Sequence, residues 1–382
     1  MTISEVYEHV FEANLHGRYI TLDHVLPLLD FYASIFKIEH IGASESGQSI
    51  PMIKIGNGEK IVLAWSQMHG NESTTTKALF DFFKFCAQKK YFEAEISKFL
   101  TTYSLYVVPI LNPDGAKAYT RENSNGIDLN RDAQELAQME SKVLLTIFEK
   151  VRPELCLNLH DQRTIYGASE GKVATVSFLS PAANEERTVT ASREVAMLHI
   201  VRLARMLTNY IPGQLGRYDD GFNANCVGDS FQMAGIPTIL FEAGHAEADY
   251  QREKTRAYIF YAFLELFGIT GTDNSEVTVD DYYKIPENTT NFKDFILRNV
   301  RINETEEPCD IALQYEEVLE EDTVKFIPKV DFIGDLSDYF GHKEKQGNGS
   351  KVLVNSQENV VIGMKILTIL RKDAPSVTFF SV

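Results

Sequence analysis

Four residues of this sequence have the types needed for metal-assisted hydrolysis: His69, Glu72, His160 and Glu242. The first two lie in the stretch Ile61–Thr76, which reads IVLAWSQMHGNESTTT. A short apolar run, Ile61 to Trp65, ends in a polar turn, and a helical pattern follows at once. His69 and Glu72 are three apart, so at a strand-to-helix turn both side chains can converge on one point. A neutral imidazole nitrogen and a carboxylate oxygen are two of the ligand types that Zn²⁺ takes in hydrolytic sites. The spacing alone is a weak signal, because His9-Val-Phe-Glu12 repeats it. That second pair sits in an amphipathic N-terminal segment and reads as a solvated helix face.

What separates the two pairs is what the rest of the chain delivers. Apolar runs at Lys60–Trp65, Tyr103–Ile110, Leu155–Leu159 and Pro237–Phe241 read as buried strands. They alternate with helical patterns at Thr21–Ala33, Ser73–Gln88, Ala133–Lys150, Glu185–Tyr210 and a segment ending near Phe267. Phe36–Ile41 and Gln48–Ile55 read as strands around a GASESG turn, and Val173–Leu179 as one more. Continuous apolar strands alternating with helices predict an α/β fold with a mostly parallel, doubly wound mixed sheet covered by helices on both faces. In such sheets ligands bind beyond the carboxyl ends of the strands. After the first run come His69 and Glu72, after the third His160, and after the fourth Glu242, in FEAGH. Two histidines and one carboxylate would fill three positions on zinc and leave the fourth for water. Glu242 would then accept that water's proton and pass it to a leaving nitrogen. Taken singly, His160 could be a satisfied strand-end histidine. Glu242 is harder to explain that way, since a glutamate ending a buried apolar strand is costly unless paired or functional.

With these pieces in order, the sequence resembles the zinc carboxypeptidase family. The matching motifs are HGNE (His69–Glu72), NPDG (Asn112–Gly115) with Arg121 downstream, Asn130-Arg131, the lone His160, and Glu242 of TILFEAG. The resemblance spans Ile61 to about Gly244. It implies one Zn²⁺ per chain on His69, Glu72 and His160, with Glu242 as general base. It further implies that Asn130 and Arg131 hold a substrate's terminal carboxylate and that Arg121 stabilises the oxyanion. A tyrosine is expected to close over the substrate, and Tyr218, in GRYDDG, is the candidate. The motifs are also similar to those of the aspartoacylase and succinylglutamate desuccinylase relatives, which carry a β domain after the zinc domain. Asp161 is a candidate hydrogen-bond partner for a ligand histidine. His245, Glu247 and Asp249 read as a cap for the following helix.

The chain's 382 residues exceed the ~250–300 at which single cores stop growing. Thr270–Val279 is the linker expected between a catalytic domain, residues 1–272, and a small β-rich domain, residues 280–382. Short β-rich runs at Asp294–Ile302, Val324–Ile327, Lys351–Val354 and Val360–Leu370 support the second, with Gly341–Ser350 as a mobile loop. A net charge of −17 argues against a nucleic-acid surface. Cys86, Cys156, Cys226 and Cys309 are too scattered for a disulfide framework. The start, MTISEVYEHVFEANLHGR, has neither a basic n-region nor an apolar h-region, so a cytoplasmic location is expected. No run is long and apolar enough for a membrane partner. The expected substrate is a peptide or an acyl amino acid with a free carboxylate. A carboxypeptidase reading leads, with an N-acyl amino acid deacylase as alternative and a non-catalytic binding module as the third.

Overall fold

A computed structural model of the chain describes residues 2–271, 275–302 and 307–382. The described residues form two units. One comprises Met1–Gln162 with Ala174–Asn288, the other Arg163–Val173 with Thr289–Val382.

In the first unit the elements run α1 (Ile3–Val10), α2 (Leu22–Tyr32), β1 (Lys37–Ala43), β2 (Ser49–Ile55), β3 (Lys60–Ser66), α3 (Thr74–Gln88) and α4 (Glu93–Thr102). Then come β4 (Tyr103–Val108), α5 (Pro113–Ala118), a 3₁₀ turn (Leu129–Arg131), α6 (Met139–Val151), β5 (Leu155–Asp161) and β6 (Val176–Leu179). The unit closes with α7 (Ala191–Thr208), β7 (Leu215–Arg217), α8 (Val227–Met233), β8 (Thr238–Ala243), α9 (Glu253–Leu266) and α10 (Val279–Tyr283). The eight strands make one mixed sheet in the order β1-β2-β4-β3-β5-β8-β6-β7. Its centre, β4-β3-β5-β8, is parallel throughout. β5 and β8 are buried at every residue, as strands covered on both faces must be. Antiparallel pairing begins on one side at β2 against β4 and on the other at β6 against β8. Two apolar clusters cover the sheet. One holds Phe82, Phe83, Ile200, Phe260 and Phe263, and the other Trp65, Leu144, Ile147 and Phe231.

Two helices start later than their periodicity predicts. α6 begins at Met139 because both oxygens of Asp132 are taken by the N–H groups of Ala137 and Gln138, each at 2.9 Å. That closes residues 132–138 into a loop with Leu136 at φ 51°. α7 begins at Ala191, capped by Thr190, since Asn184 holds the preceding turn through Thr188 N–H. Asp249 caps α9 by accepting from Glu253 and Lys254 N–H.

The second unit holds a six-stranded sheet ordered β12-β11-β10-β14-β15-β16 and a two-stranded one, β13-β9. The strands are β9 (Phe292–Lys293), β10 (Phe295–Arg301), β11 (Cys309–Glu320), β12 (Thr323–Gly334), β13 (Phe340–Gly341), β14 (Glu344–Val354), β15 (Thr368–Arg371) and β16 (Ala374–Ser381). Three sequence expectations change here. Most of Gly341–Ser350 is strand, because Glu344–Gln346 pairs in parallel with Ile296–Arg298. Its polar residues alternate outward, which reads as a loop when taken alone. Val360–Leu370 is strand only from Thr368, since Gly363 turns the chain at φ 85°. Finally, the units do not part at residues 272–280, of which 272–274 lie outside the described residues. α10 stays with the first unit: Tyr282 is fully buried in its core, and its hydroxyl accepts from Ser180 N–H at 3.1 Å.

α3 is buried nearly all round, so its two buried charges, Lys77 and Asp81, must be met internally. Asp81 receives two hydrogen bonds from the Arg256 guanidinium, at 2.6 and 2.7 Å, with Tyr7 Oη at 3.0 Å and Glu12 N–H at 2.6 Å. Lys77 Nζ reaches Glu253 Oε1 at 2.6 Å and Gln251 O at 3.0 Å. Arg256 also donates to Leu15 O and Glu12 O. The N-terminal segment is therefore tied to α3 and α9 by charge as well as by packing. Removing one partner of such a pair strands the other in low dielectric, at roughly 3–5 kcal/mol. Asp81→Asn, which keeps the shape, is expected to lower the free energy of urea unfolding by an amount in that range, read as a lower midpoint. A midpoint unchanged from wild type would show that Arg256 is neutralised by its other partners.

Candidate active site

The centre is assembled from three adjacent parallel strands. β3 ends at Ser66, and Gln67, at φ 44°, turns the chain into His69-Gly70-Asn71-Glu72. The Gln67 amide donates to Ile20 O at 2.9 Å and Gly70 O at 2.8 Å, fixing that turn. Gly70 cannot carry a side chain, because a Cβ would lie 1.9 Å from the backbone carbon of Gly115. The HGNE turn thus rests backbone to backbone on the NPDG turn. Asn112 bridges the two, its side chain donating to Met68 O at 3.2 Å and accepting from Gly115 N–H at 2.8 Å. His160 and Glu242 lie inside β5 and β8 rather than after them. They are directly opposite each other in the parallel register and so share a face.

His69 Nδ1 lies 2.9 Å from Glu72 Oε1, His160 Nδ1 lies 2.8 Å from Glu72 Oε2, and the two Nδ1 atoms are 3.1 Å apart. His69 Nε2 faces Asp128 Oδ1 at 3.1 Å. A carboxylate there places the imidazole proton on Nε2 and leaves the Nδ1 lone pair pointing at the other donors. Burial opposes the charge of Glu72, but protons on the His69 and His160 Nδ1 atoms outweigh it and hold the carboxyl well below its usual range, and a metal ion would take the place of those protons. Asp161 N–H donates to Glu72 Oε2 at 3.2 Å. Lone pairs thus converge at 2.8–3.1 Å, close to the roughly 3.3 Å edge of a tetrahedron with ~2.0–2.1 Å zinc bonds. The donor set, two imidazoles and a carboxylate, fits zinc, and His69, Glu72 and His160 form a group able to hold a metal ion.

Around this trio stand the other residues singled out in the sequence. Arg121 donates to Asp128 Oδ2 at 3.0 Å and to Glu72 Oε1 at 3.3 Å, with its Nη1 3.2 Å from His69 Nδ1. Glu242 is 8% exposed. Burial first, then the charges of Glu72 and Asp161, push its pKa well above the ordinary carboxylate value. Asn130 Oδ1 accepts from Val227 N–H at 3.0 Å, tying the 3₁₀ turn to the start of α8. Arg131 is exposed, its Nη1 2.7 Å from Asn130 O and 3.1 Å from Cys226 Sγ. Tyr218 follows β7, half-buried, with its N–H on Phe178 O at 3.0 Å. Asp161 does not bond a ligand histidine through its side chain. Its Oδ2 accepts from Thr74 N–H and Oγ1, and it serves the centre through its backbone N–H. Asp128 is the functional residue that sequence reasoning missed. The signal was its place two residues before Asn130, where it also caps the 3₁₀ turn by accepting from Asn130 N–H at 2.8 Å. His9, by contrast, is exposed on α1 and stacks on Tyr91.

Residues 27–148 match the model of the zinc carboxypeptidase family. This is a zinc-carboxypeptidase-like chain. Solved structures give the same fold. A metallo-carboxypeptidase from Burkholderia cenocepacia aligns with TM-score 0.52 at 13% identity, over 64% of this chain and 68% of that one. A metallo-carboxypeptidase from Pseudomonas aeruginosa, in complex with (2-guanidinoethylmercapto)succinic acid, aligns with TM-score 0.50 at 18% identity, over 64% and 69%. Bovine thrombin-activatable fibrinolysis inhibitor, in complex with tick carboxypeptidase inhibitor, aligns with TM-score 0.50 at 14% identity, over 66% and 97%. The zinc in the matched family's description agrees with the donor set of His69, Glu72 and His160.

Partners that orient a ligand histidine typically change metal affinity about 10- to 100-fold when removed. Asp128→Asn is expected to weaken zinc binding by that factor in competition with a chromogenic chelator, and His9→Ala to leave it unchanged. Wild-type affinity in Asp128→Asn would mean that Glu72 and packing alone orient His69.

Proposed function

We propose that the chain is a zinc-dependent carboxypeptidase that hydrolyses the amide bond next to a substrate's free carboxylate. The observation carrying this reading is the convergence of His69, His160 and Glu72, with Glu242 directly opposite His160 on the neighbouring strand. Zinc held by these three side chains would supply Lewis acidity and an acidified water.

The remaining work falls to the chain's own residues. Glu242 takes a proton from the attacking water and delivers it to the leaving nitrogen. Its buried setting favours holding that proton between the two events. Arg121, charged and hydrogen-bonded beside the trio, turns from Glu72 toward the oxyanion as negative charge develops there. Asn130 and Arg131 hold the substrate's carboxylate, for which a planar guanidinium is the matching donor. Tyr218 covers the bound substrate. A second reading, deacylation of an acyl amino acid, uses the same clamp and centre. The β unit after the catalytic one favours keeping it.

Glu242→Gln is expected to retain zinc and lose ~10²–10⁴ in rate. Turnover within a few-fold of wild type would make Glu242 structural. Arg131→Ala and amidation of the substrate's carboxylate should each lower kcat/KM, and together cost far less than their sum if the two groups interact. Amidated substrates cleaved as fast as free ones would sink the carboxylate requirement. Peptides of several lengths cleaved alike would favour the carboxypeptidase, and turnover confined to small acyl groups the deacylase.

A further inference from the structure

A cavity of about 460 Å³ opens in the first unit at the opposite ends of the central strands from the candidate centre. Lys60 begins β3 and Tyr103 begins β4, and both line it. β3 then runs its seven residues to Ser66, so roughly 20 Å of strand separates the cavity from the HGNE turn. α4 contributes Lys98 and Phe99, α7 contributes His199 and Arg202, and the end of α9 closes the wall. The volume falls in the range of small-molecule sites, roughly 300–1,000 Å³.

The charges are what make this cavity unusual. In a chain of net charge −17, three cations, Lys60, Lys98 and Arg202, face one space. Several other cations of this unit are met by carboxylates, as Arg256 is by Asp81 and Arg193 by Asp220. Among the described residues, none of these three has an ion-pair or hydrogen-bond partner for its side chain. Lys60 lies over the Tyr103 ring, 5.8 Å from its centroid. Two carboxylates, Glu95 and Glu265, also line the cavity, and Glu265 already accepts from Thr270 Oγ1 at 3.1 Å. His199 lines the cavity together with Lys60 and Arg202. Burial lowers its pKa to about 4, and the two cations push it in the same direction. The apolar part of the wall comes from Phe99, Tyr103, Leu203 and Phe267.

We propose that this cavity binds a small organic anion, a phosphate or carboxylate head group carried on an apolar body. The head group would take charge-assisted hydrogen bonds from Arg202 and Lys60, and the body would lie against the aromatic wall. Because the cavity sits at the far ends of the strands, its occupant would not block the candidate centre.

The test is calorimetric titration of the zinc-loaded full chain with phenyl phosphate and with benzoate, and with benzyl alcohol as the uncharged probe. At least one anion should bind one per chain, and benzyl alcohol should bind far more weakly. Lys60 is exposed and Arg202 half-buried, so Lys60→Ala and Arg202→Ala should fold normally. Each should weaken anion binding about tenfold, while Arg131→Ala and Glu242→Gln should leave it unchanged. Which anion binds decides between phosphate and carboxylate. Three results would overturn the proposal: binding by neither anion, equal binding of benzyl alcohol, or loss of binding in Arg131→Ala with retention in Arg202→Ala. The last would place the anion at the candidate centre.

Discussion

The carboxylate of Glu72 is the point on which the centre depends. It faces both imidazoles, receives the N–H of Asp161 from the end of β5, and lies within reach of Arg121. Two histidine lone pairs aimed at each other 3.1 Å apart repel unless something positive lies between them. A buried carboxylate beside them increases the demand for a cation. The arrangement is therefore costly by itself and becomes favourable with a divalent ion in it, so metal binding and the integrity of this corner are one free energy. The fold meets the geometric part of that demand with parallel strands, since strand register alone fixes the spacing of His160 and Glu242.

Much of this was legible in the sequence because the centre uses strand ends, and strand ends are where apolar runs stop. Ile61–Trp65 and Leu155–Leu159 announce themselves by composition, and the polar residue after each run is easily found. The two-residue extension of β5 and β8 that puts His160 and Glu242 inside their strands was not legible. A terminal backbone pair leaves no mark on hydrophobicity. Asp128 was overlooked for a related reason. It sits in a loop, Asn125–Asp132, whose Asn, Gly and Asp residues read as turn formers, and only the fold reveals that one of them reaches His69. The late starts of α6 and α7 have the same origin: side-chain-to-backbone bonds from Asp132 and Asn184 compete with the helix, and periodicity does not register such bonds.

In the second unit, composition misled for a different reason. Gly341–Ser350 contains glycine, lysine, glutamine and asparagine, a mixture that ordinarily marks a loop. Yet Gly347 lies so close to β10 that a Cβ would meet Val300 at 2.2 Å. The glycine there serves close approach between strands rather than flexibility. A sheet with only one parallel pair, β10 with β14, also breaks the hairpin rhythm by which β domains are usually recognised in sequence.

Close approach of backbones also explains how the metal-facing corner behaves as one piece. Gly70 sits on Gly115, and a Cβ at Gly115 would in turn meet Glu122 O at 2.5 Å. The turn that presents His69 and Glu72, the turn that begins α5, and the segment that presents Arg121 are thus stacked backbone on backbone, with the Asn112 side chain bridging them. Asn71 N–H on Thr120 O, at 3.1 Å, completes the stack. Asp114 extends it outward, accepting from Ser44, Ser46, Gln48 and Ser124, so the β1–β2 turn is anchored to the same block. Any displacement of the metal-facing turn must therefore carry Arg121 with it. Packing of this kind permits discrete rearrangements rather than gradual ones. The distance between the metal-facing residues and Arg121 is accordingly set by backbone contact, while the reach of Arg131, exposed and bonded to Cys226 at the start of α8, is set by a separate element.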